Sequence, residues 1–293
     1  MSYRSIFLSN NGTNIFTTLG FLKKIHDKVT RTHVWNVCGS SSLIIFLKIV
    51  GFNYSQIFEI LSDFHLTSTF INGSSLLPEN ENEKKKYIKE WLIKKLSDSE
   101  FFSKDIRLDE AYKKTNLFPN FLLYSRDQKT IVYANPTDTP TFKLVDCVMA
   151  SLCYIGVYEE YEFSEHIFSN LSSIDCYPYH KRFYEDDEDI LFVGNISIFD
   201  EEKEKPLLGP LSKKEKMFIR QFSEYEKYQI EKIFEKIENE KVTIYSYYRR
   251  GKLSHEEMET LFKMGIEEGD AFEKQSDTGE RLESYVKKIE SQS

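Results

Sequence analysis

Basic charge is what this chain most plainly lacks. Its 293 residues carry 39 Lys and Arg against 47 Asp and Glu, a formal net charge of -8. The global field therefore repels phosphate backbones, and nucleic acid is not an expected partner. Long apolar runs are missing too. The longest, Leu43 to Val50, is interrupted by Lys48 and falls far short of the roughly 20 residues a membrane-spanning helix needs. Near the N-terminus only Ile6-Phe7-Leu8 is apolar before Asn10-Asn11, which lacks the hydrophobic core of a secretory signal. The expected location is intracellular, either cytoplasmic or peripherally membrane-associated. Cys38, Cys147, Cys153 and Cys176 form no C-x-x-C pair, so neither a zinc site nor a disulfide framework is indicated. The histidines show no metal-ligand spacing, no cofactor is implied, and no internal repeat is visible.

Apolar and aromatic mass is abundant. Hydrophobic residues make up 40% of the chain, with 23 Phe and 18 Tyr, enough to bury a sizeable core in one large domain with, at most, a smaller appendage. Ile6-Phe7-Leu8 within Tyr3 to Leu8 reads as a buried strand ending in the turn cluster Ser9 to Thr13. Ile15, Phe16, Leu19, Leu22 and Ile25 recur at helical spacing behind Asn14, a candidate cap. A second strand, His33 to Cys38, runs into Gly39-Ser40-Ser41-Ser42 and then a buried helix to Val50, closed by Gly51, with a further helix over Tyr54 to His65. Strand, helix, strand, helix in that order predicts a parallel sheet with right-handed crossovers.

Farther on, Leu66 to Glu83 is polar and reads as a surface loop or a flap beside a site. Helices are predicted over Lys84 to Leu96, Leu108 to Lys114 and Val145 to Tyr154, and paired strands at 121–124 and 130–133. Ile190 to Phe199 reads as the last core strand. Beyond the charged run Glu201 to Lys205 the composition becomes helical, notably over Ser212 to Glu238. The expected division is therefore 1–205 for the main domain and 206–293 for a helical C-terminal region packed on it or beside it.

Chemistry concentrates at the second strand-to-helix turn. A serine held there above the sheet, after a glycine that permits tight backbone, is the context of a nucleophile elbow; a serine-rich turn in that place also reads as a plain N-cap. Upstream, Leu8-Ser9-Asn10-Asn11-Gly12-Thr13-Asn14-Ile15 leads without a gap to Leu19-Gly20-Phe21-Leu22-Lys23. Together with Gly39-Ser40-Ser41-Ser42-Leu43, with Leu108 to Thr115 and with Val145 to Ser151, this order resembles the patatin-like phospholipase family over about residues 3 to 200. Such proteins carry an S-G-G-G-x-R-G loop, then L-G-x-L-K, then the elbow G-x-S-x-G.

The resemblance implies an α/β, three-layer fold with a mainly parallel central sheet and a C-terminal helical extension. It implies a lipid acyl hydrolase using a Ser-Asp dyad, without metal or cofactor, acting on a lipid ester substrate with peripheral membrane contact. By it Ser41 is the nucleophile, Gly39 the elbow glycine, Asp175 in Ser173 to Pro178 the base, and Asn11, Gly12, Thr13 and Ser42 the oxyanion donors. The sequence departs from the pattern at Asn10, Asn11, Asn14, Ile15 and Leu43, and the aspartate loop lacks its glycines. Those losses keep a second reading open, an inactive homologue serving as a lipid-binding or protein-interaction module. A third reading, with His255 as a distant base, requires that imidazole beside Ser41.

Overall fold

A computed structural model describes residues 3–9, 14–64, 80–153, 158–169, 190–198, 240–247 and 253–278, with scattered positions between 217 and 235. The first strands form where predicted. β1 (Ser5–Leu8) is followed by α1 (Ile15–Lys24) and the short α2 (His26–Val29), and β2 (Val34–Val37) by α3 (Ser41–Val50). α3 is buried all round except at Lys48, whose Nζ sits 5.6 Å from the Trp35 ring centre and 4.3 Å from that of Tyr54. It ends at Gly51, whose φ of 111° suits glycine and few other residues. α4 (Tyr54–Asp63) starts on a capping box between Asn53 and Gln56. At α1 the expectation of a capping side chain fails: Asn14 occupies the N-cap position in right-handed helical conformation and its side chain makes no capping bond.

α5 (Glu81–Ser97) begins three residues before the predicted Lys84, because the Asn80 side chain accepts from the Asn82 amide and starts the helix there. α6 (Leu108–Thr115), the antiparallel pair β3 (Phe118–Ser125) and β4 (Thr130–Ala134), and α7 (Leu144–Ser151) follow the sequence reading closely. Three strands were not anticipated. β5 (Glu160–Phe163) and β6 (His166–Ser169) form a hairpin turned by Ser164 and Glu165 at φ of 50° and 64°. Neither is Gly, Asn or Asp, so the usual hairpin signal is absent. β7 (Ile190–Ile198) is not the last core strand either. β8 (Glu240–Tyr247), from a stretch read as helical, pairs with it in parallel over its full length. The chain closes with α8 (His255–Thr278). The predicted helix at Ser212 to Glu238 and the boundary near 205 lie largely outside the described residues.

All eight strands form one sheet in the order β5-β6-β3-β2-β1-β7-β8, with β4 on β3. The stretch β3-β2-β1-β7-β8 is parallel and the β4, β5 and β6 edge antiparallel. One face, through Ile6, Leu8, Trp35, Val37, Phe121, Leu191 and Val193, shares a core with α1, α3, α4, α5, α7 and α8. The opposite face is buried as well, with Phe7 stacked on Phe192 at 5.9 Å. Burial on both sides is what a parallel sheet requires. Across that second face runs a buried polar ladder: Asn36 donates to Ser5 Oγ, Asn120 to Asn36 Oδ1 at 2.7 Å, and Asn135 to Asn120 Oδ1. No single helix among the described residues is long and apolar enough to cross a membrane.

α1 is buried beyond its predicted stripe, at Thr17, Thr18 and Gly20 too, because α8 covers that side. The approach is at backbone distance. A Cβ on Gly20 would lie 2.0 Å from the Phe262 carbonyl oxygen, and one on Gly265 1.9 Å from that of Thr17; one on Gly269 would meet only the Lys24 side chain closely, at 2.6 Å. Lys24 also reaches Asp270 at 2.6 Å. Gly265→Ala must part the helices and is expected to cost about 1–3 kcal/mol. Gly269→Ala brings its Cβ to 2.6 Å from the Lys24 Cβ and Cγ, which the α1 backbone holds in place, so it too must part the helices, and the roughly 0.5–1 kcal/mol of helix propensity it gains offsets only part of that cost. Denaturant unfolding should show both variants destabilised, Gly265→Ala the more because it meets the Thr17 carbonyl oxygen at 1.9 Å.

At the other edge, Asp127 joins the two hairpins, accepting from Ser125 Oγ at 2.9 Å and from the Ile167 amide at 3.1 Å, with His166 Nδ1 at 3.3 Å. The Ser125 hydroxyl outweighs the opposing desolvation and, with His166 and the Ile167 amide, holds the carboxyl down at about 2. A carboxyl depressed on folding stabilises above its unfolded pKa, and the contribution is lost as pH falls through the folded value. Asp127→Asn should therefore be less stable than the parent at pH 7, with the gap closing between about pH 4 and pH 2 in acid unfolding curves.

Candidate active site

The carboxyl ends of parallel strands are where ligands of open α/β sheets bind, and β1 and β2 end side by side, Leu8 opposite Val37. Beyond β2 the chain reverses in three residues. Gly39 takes φ of 58°, a left-handed conformation that a side chain would strain, Ser40 returns to φ of -63°, and Ser41 is the first residue of α3. The turn thus needs its glycine at 39. Ser41 has ordinary helical backbone, so the strained conformation belongs to Gly39 and not to the serine.

Ser41 was expected to expose its hydroxyl above the sheet, but it is fully buried, and its Oγ donates to the Ser9 carbonyl. Ser9 is itself fixed, its amide donating to Val193 on β7 at 3.1 Å. The ends of β1 and β2 and the middle of β7 are thereby knit around the serine. The Ser42 amide, expected among the oxyanion donors, bonds the Gly39 carbonyl at 3.1 Å, and the Ser42 hydroxyl bonds the same oxygen at 2.7 Å. Ser151, the last residue of α7, also donates to it, at 3.3 Å. Asn11, Gly12 and Thr13 of the expected oxyanion loop, and Asp175, the expected base, lie outside the described residues.

Sequence reasoning gave neither Ser9 nor Ser151 a role at the site, although both fall in segments that carry the family resemblance. Their contacts to the elbow bridge 32 and 112 residues of sequence, and only the assembled sheet shows them. His255 pairs with Glu259 at 3.4 Å and packs on Phe58, with its side chain 57% exposed, so this imidazole, which the third reading needs beside the buried serine, is engaged elsewhere. Burial pushes the Cys147 and Cys153 thiols up, leaving no reactive thiolate there. Among the described residues no cluster of His, Cys, Asp and Glu could hold a metal. An open groove of about 860 Å³, lined by Val50, Phe52, Phe101, Phe102 and Lys114 among others, lies at the far end of α3. That is about 15 Å from Ser41 along the helix, too far to receive the part of a substrate that reacts.

No family sequence model matches the chain, and no curated protein matches it in sequence. Solved structures do match. VipD from Legionella pneumophila is similar with a TM-score of 0.56 at 10% identity, over 92% of this chain and 66% of that one. The type III effector protein ExoU is similar with a TM-score of 0.52, also at 10% identity, over 94% of this chain and 53% of that one. The chain spans less than two thirds of either. The likeness bears on the fold, which is the patatin-like α/β arrangement with a central sheet and several helices.

Leu43 stands where the G-x-S-x-G pattern has its second glycine. Its side chain is 1% exposed within the hydrophobic core, and its amide donates to Ser40 at 3.1 Å, so the helix has found a pocket for it without opening the turn. Leu43→Gly should therefore not behave as a repair. Loss of the buried side chain costs about 2–5 kcal/mol, and glycine in a helix about 1 more, measurable as a fall in the unfolding midpoint.

Proposed function

We propose that the chain is a lipid acyl hydrolase, a phospholipase A-like esterase of patatin type, with Ser41 as nucleophile and Asp175 as base. The observation that carries the proposal is the position of Ser41, at a glycine-permitted turn between a central parallel strand and a buried helix, beside the loop leaving β1, in a patatin-like fold. In this reading Ser41 Oγ attacks the ester carbonyl carbon while the Asp175 carboxylate takes its proton. The oxyanion is received by amides of Asn11, Gly12, Thr13 and Ser42, with the N-terminal end of α3 adding a favourable field. Asp175 returns the proton to the departing alcohol, and water activated by the same carboxylate hydrolyses the acyl-serine. Neither metal nor organic cofactor enters these steps. The substrate is a lipid ester met by peripheral contact with its membrane.

The burial of Ser41 and the bond from its hydroxyl to Ser9 favour a second reading, an inactive homologue that keeps the fold to bind lipid or protein. A fluorophosphonate probe separates the two without knowledge of the substrate. Under the first reading the parent protein is labelled at Ser41 and turns over a chromogenic acyl ester. Ser41→Ala then loses both with an unchanged circular dichroism spectrum, and Asp175→Asn loses turnover by about a hundredfold or more. A folded parent that is neither labelled nor active supports the second reading.

A further inference from the structure

We infer that Ser151 is a positioning residue for the elbow, acting through the Gly39 carbonyl; the inference rests on the reading of Ser41 as nucleophile. That carbonyl oxygen accepts from the Ser42 amide at 3.1 Å, the Ser42 hydroxyl at 2.7 Å and the Ser151 hydroxyl at 3.3 Å. A carbonyl oxygen offers two lone pairs, so one of the three donors is in surplus. The surplus has chemical meaning because the Ser42 amide belongs to the residue after the nucleophile, the position from which an elbow supplies an oxyanion donor.

In the structure that amide is engaged. To meet an oxyanion it must leave Gly39, and if it were the sole partner its departure would leave the half-buried Gly39 carbonyl poorly paired beside the buried Ser40, Ser41 and Ser42. The two hydroxyls remove that obstacle by keeping the oxygen bonded. They are not equivalent. The Ser42 hydroxyl is part of the turn and moves with it, whereas Ser151 is 7% exposed on a different helix and anchors the carbonyl from outside. Ser151 thus holds Gly39 in its left-handed conformation while the amide is released to the substrate.

The experiment compares the full-length parent with Ser151→Ala and Ser151→Thr by two measurements, the second-order rate of fluorophosphonate labelling and hydrogen exchange of peptides spanning residues 38–46. Ser151→Ala should label about tenfold more slowly, a fraction of the hundredfold or more lost when a direct oxyanion donor is deleted. Its elbow should also exchange more slowly, because the Ser42 amide is then held by the carbonyl it has to satisfy. Ser151→Thr keeps the hydroxyl and should restore both values. A merely structural role predicts the reverse in exchange, a loosened elbow that exchanges faster. Parental labelling in Ser151→Ala, or unchanged or faster exchange, overturns the inference. An unlabelled parent rejects the Ser41 reading instead, and the exchange comparison still decides the role of Ser151.

Discussion

The parallel pairing of β1 with β2 on one side and β7 on the other is the constraint on which the rest of the molecule depends. It sets Leu8 level with Val37 and Val193, so β1 and β2 end together beside the middle of β7, which runs on to Ile198, and the chain leaving the two is delivered to the same place. The hydrogen bonds from Ser9 to Val193 and from Ser41 to Ser9 follow from that alignment. A slip of one residue would turn Trp35 and Val37 away from the helical core and bring Asn36 into it. The register is held on both faces by different means, apolar packing on the helical side and the ladder of Ser5, Asn36, Asn120 and Asn135 on the other. Because amides that fail to find partners when buried are costly, the ladder tolerates few alternative alignments.

Much of this was legible in the sequence where one local rule dominates. Alternating strands and amphipathic segments gave the β1-α1-β2-α3-α4 order, and a glycine followed by serines between a buried strand and a buried helix marked the elbow. Legibility failed where the deciding partner lay far along the chain. The β5-β6 hairpin turns on residues with no turn signature, and β8 is short beside the helical composition before it. Thr17 and Gly20 lie off the predicted stripe of α1, and nothing near them in sequence announces a second helix on that side.

The site divides in the same way. Gly39 and Ser41 were readable because the chemistry of a tight turn is written in adjacent residues. The burial of Ser41 was not, since it depends on how the end of β1 closes over the turn. Leu43 reads as damage against a family pattern and is ordinary core in the folded chain. That contrast explains why the departures from the motif bear less on the fold than on the chemistry: helix and strand have accommodated the substitutions, while the hydroxyl rests on a carbonyl in place of a solvent-facing cleft.

The contact between Gly20 and Gly265 also bears on how the chain comes to be folded. α1 and α8 lie far apart in sequence, yet they meet at backbone distance with no side chain between them. A contact of such sequence separation closes late and slowly. Until it does, one flank of α1 stays uncovered. A folding chain therefore completes the support of α1 only when a helix from far along the sequence has docked, so the order of assembly is set by that one late closure.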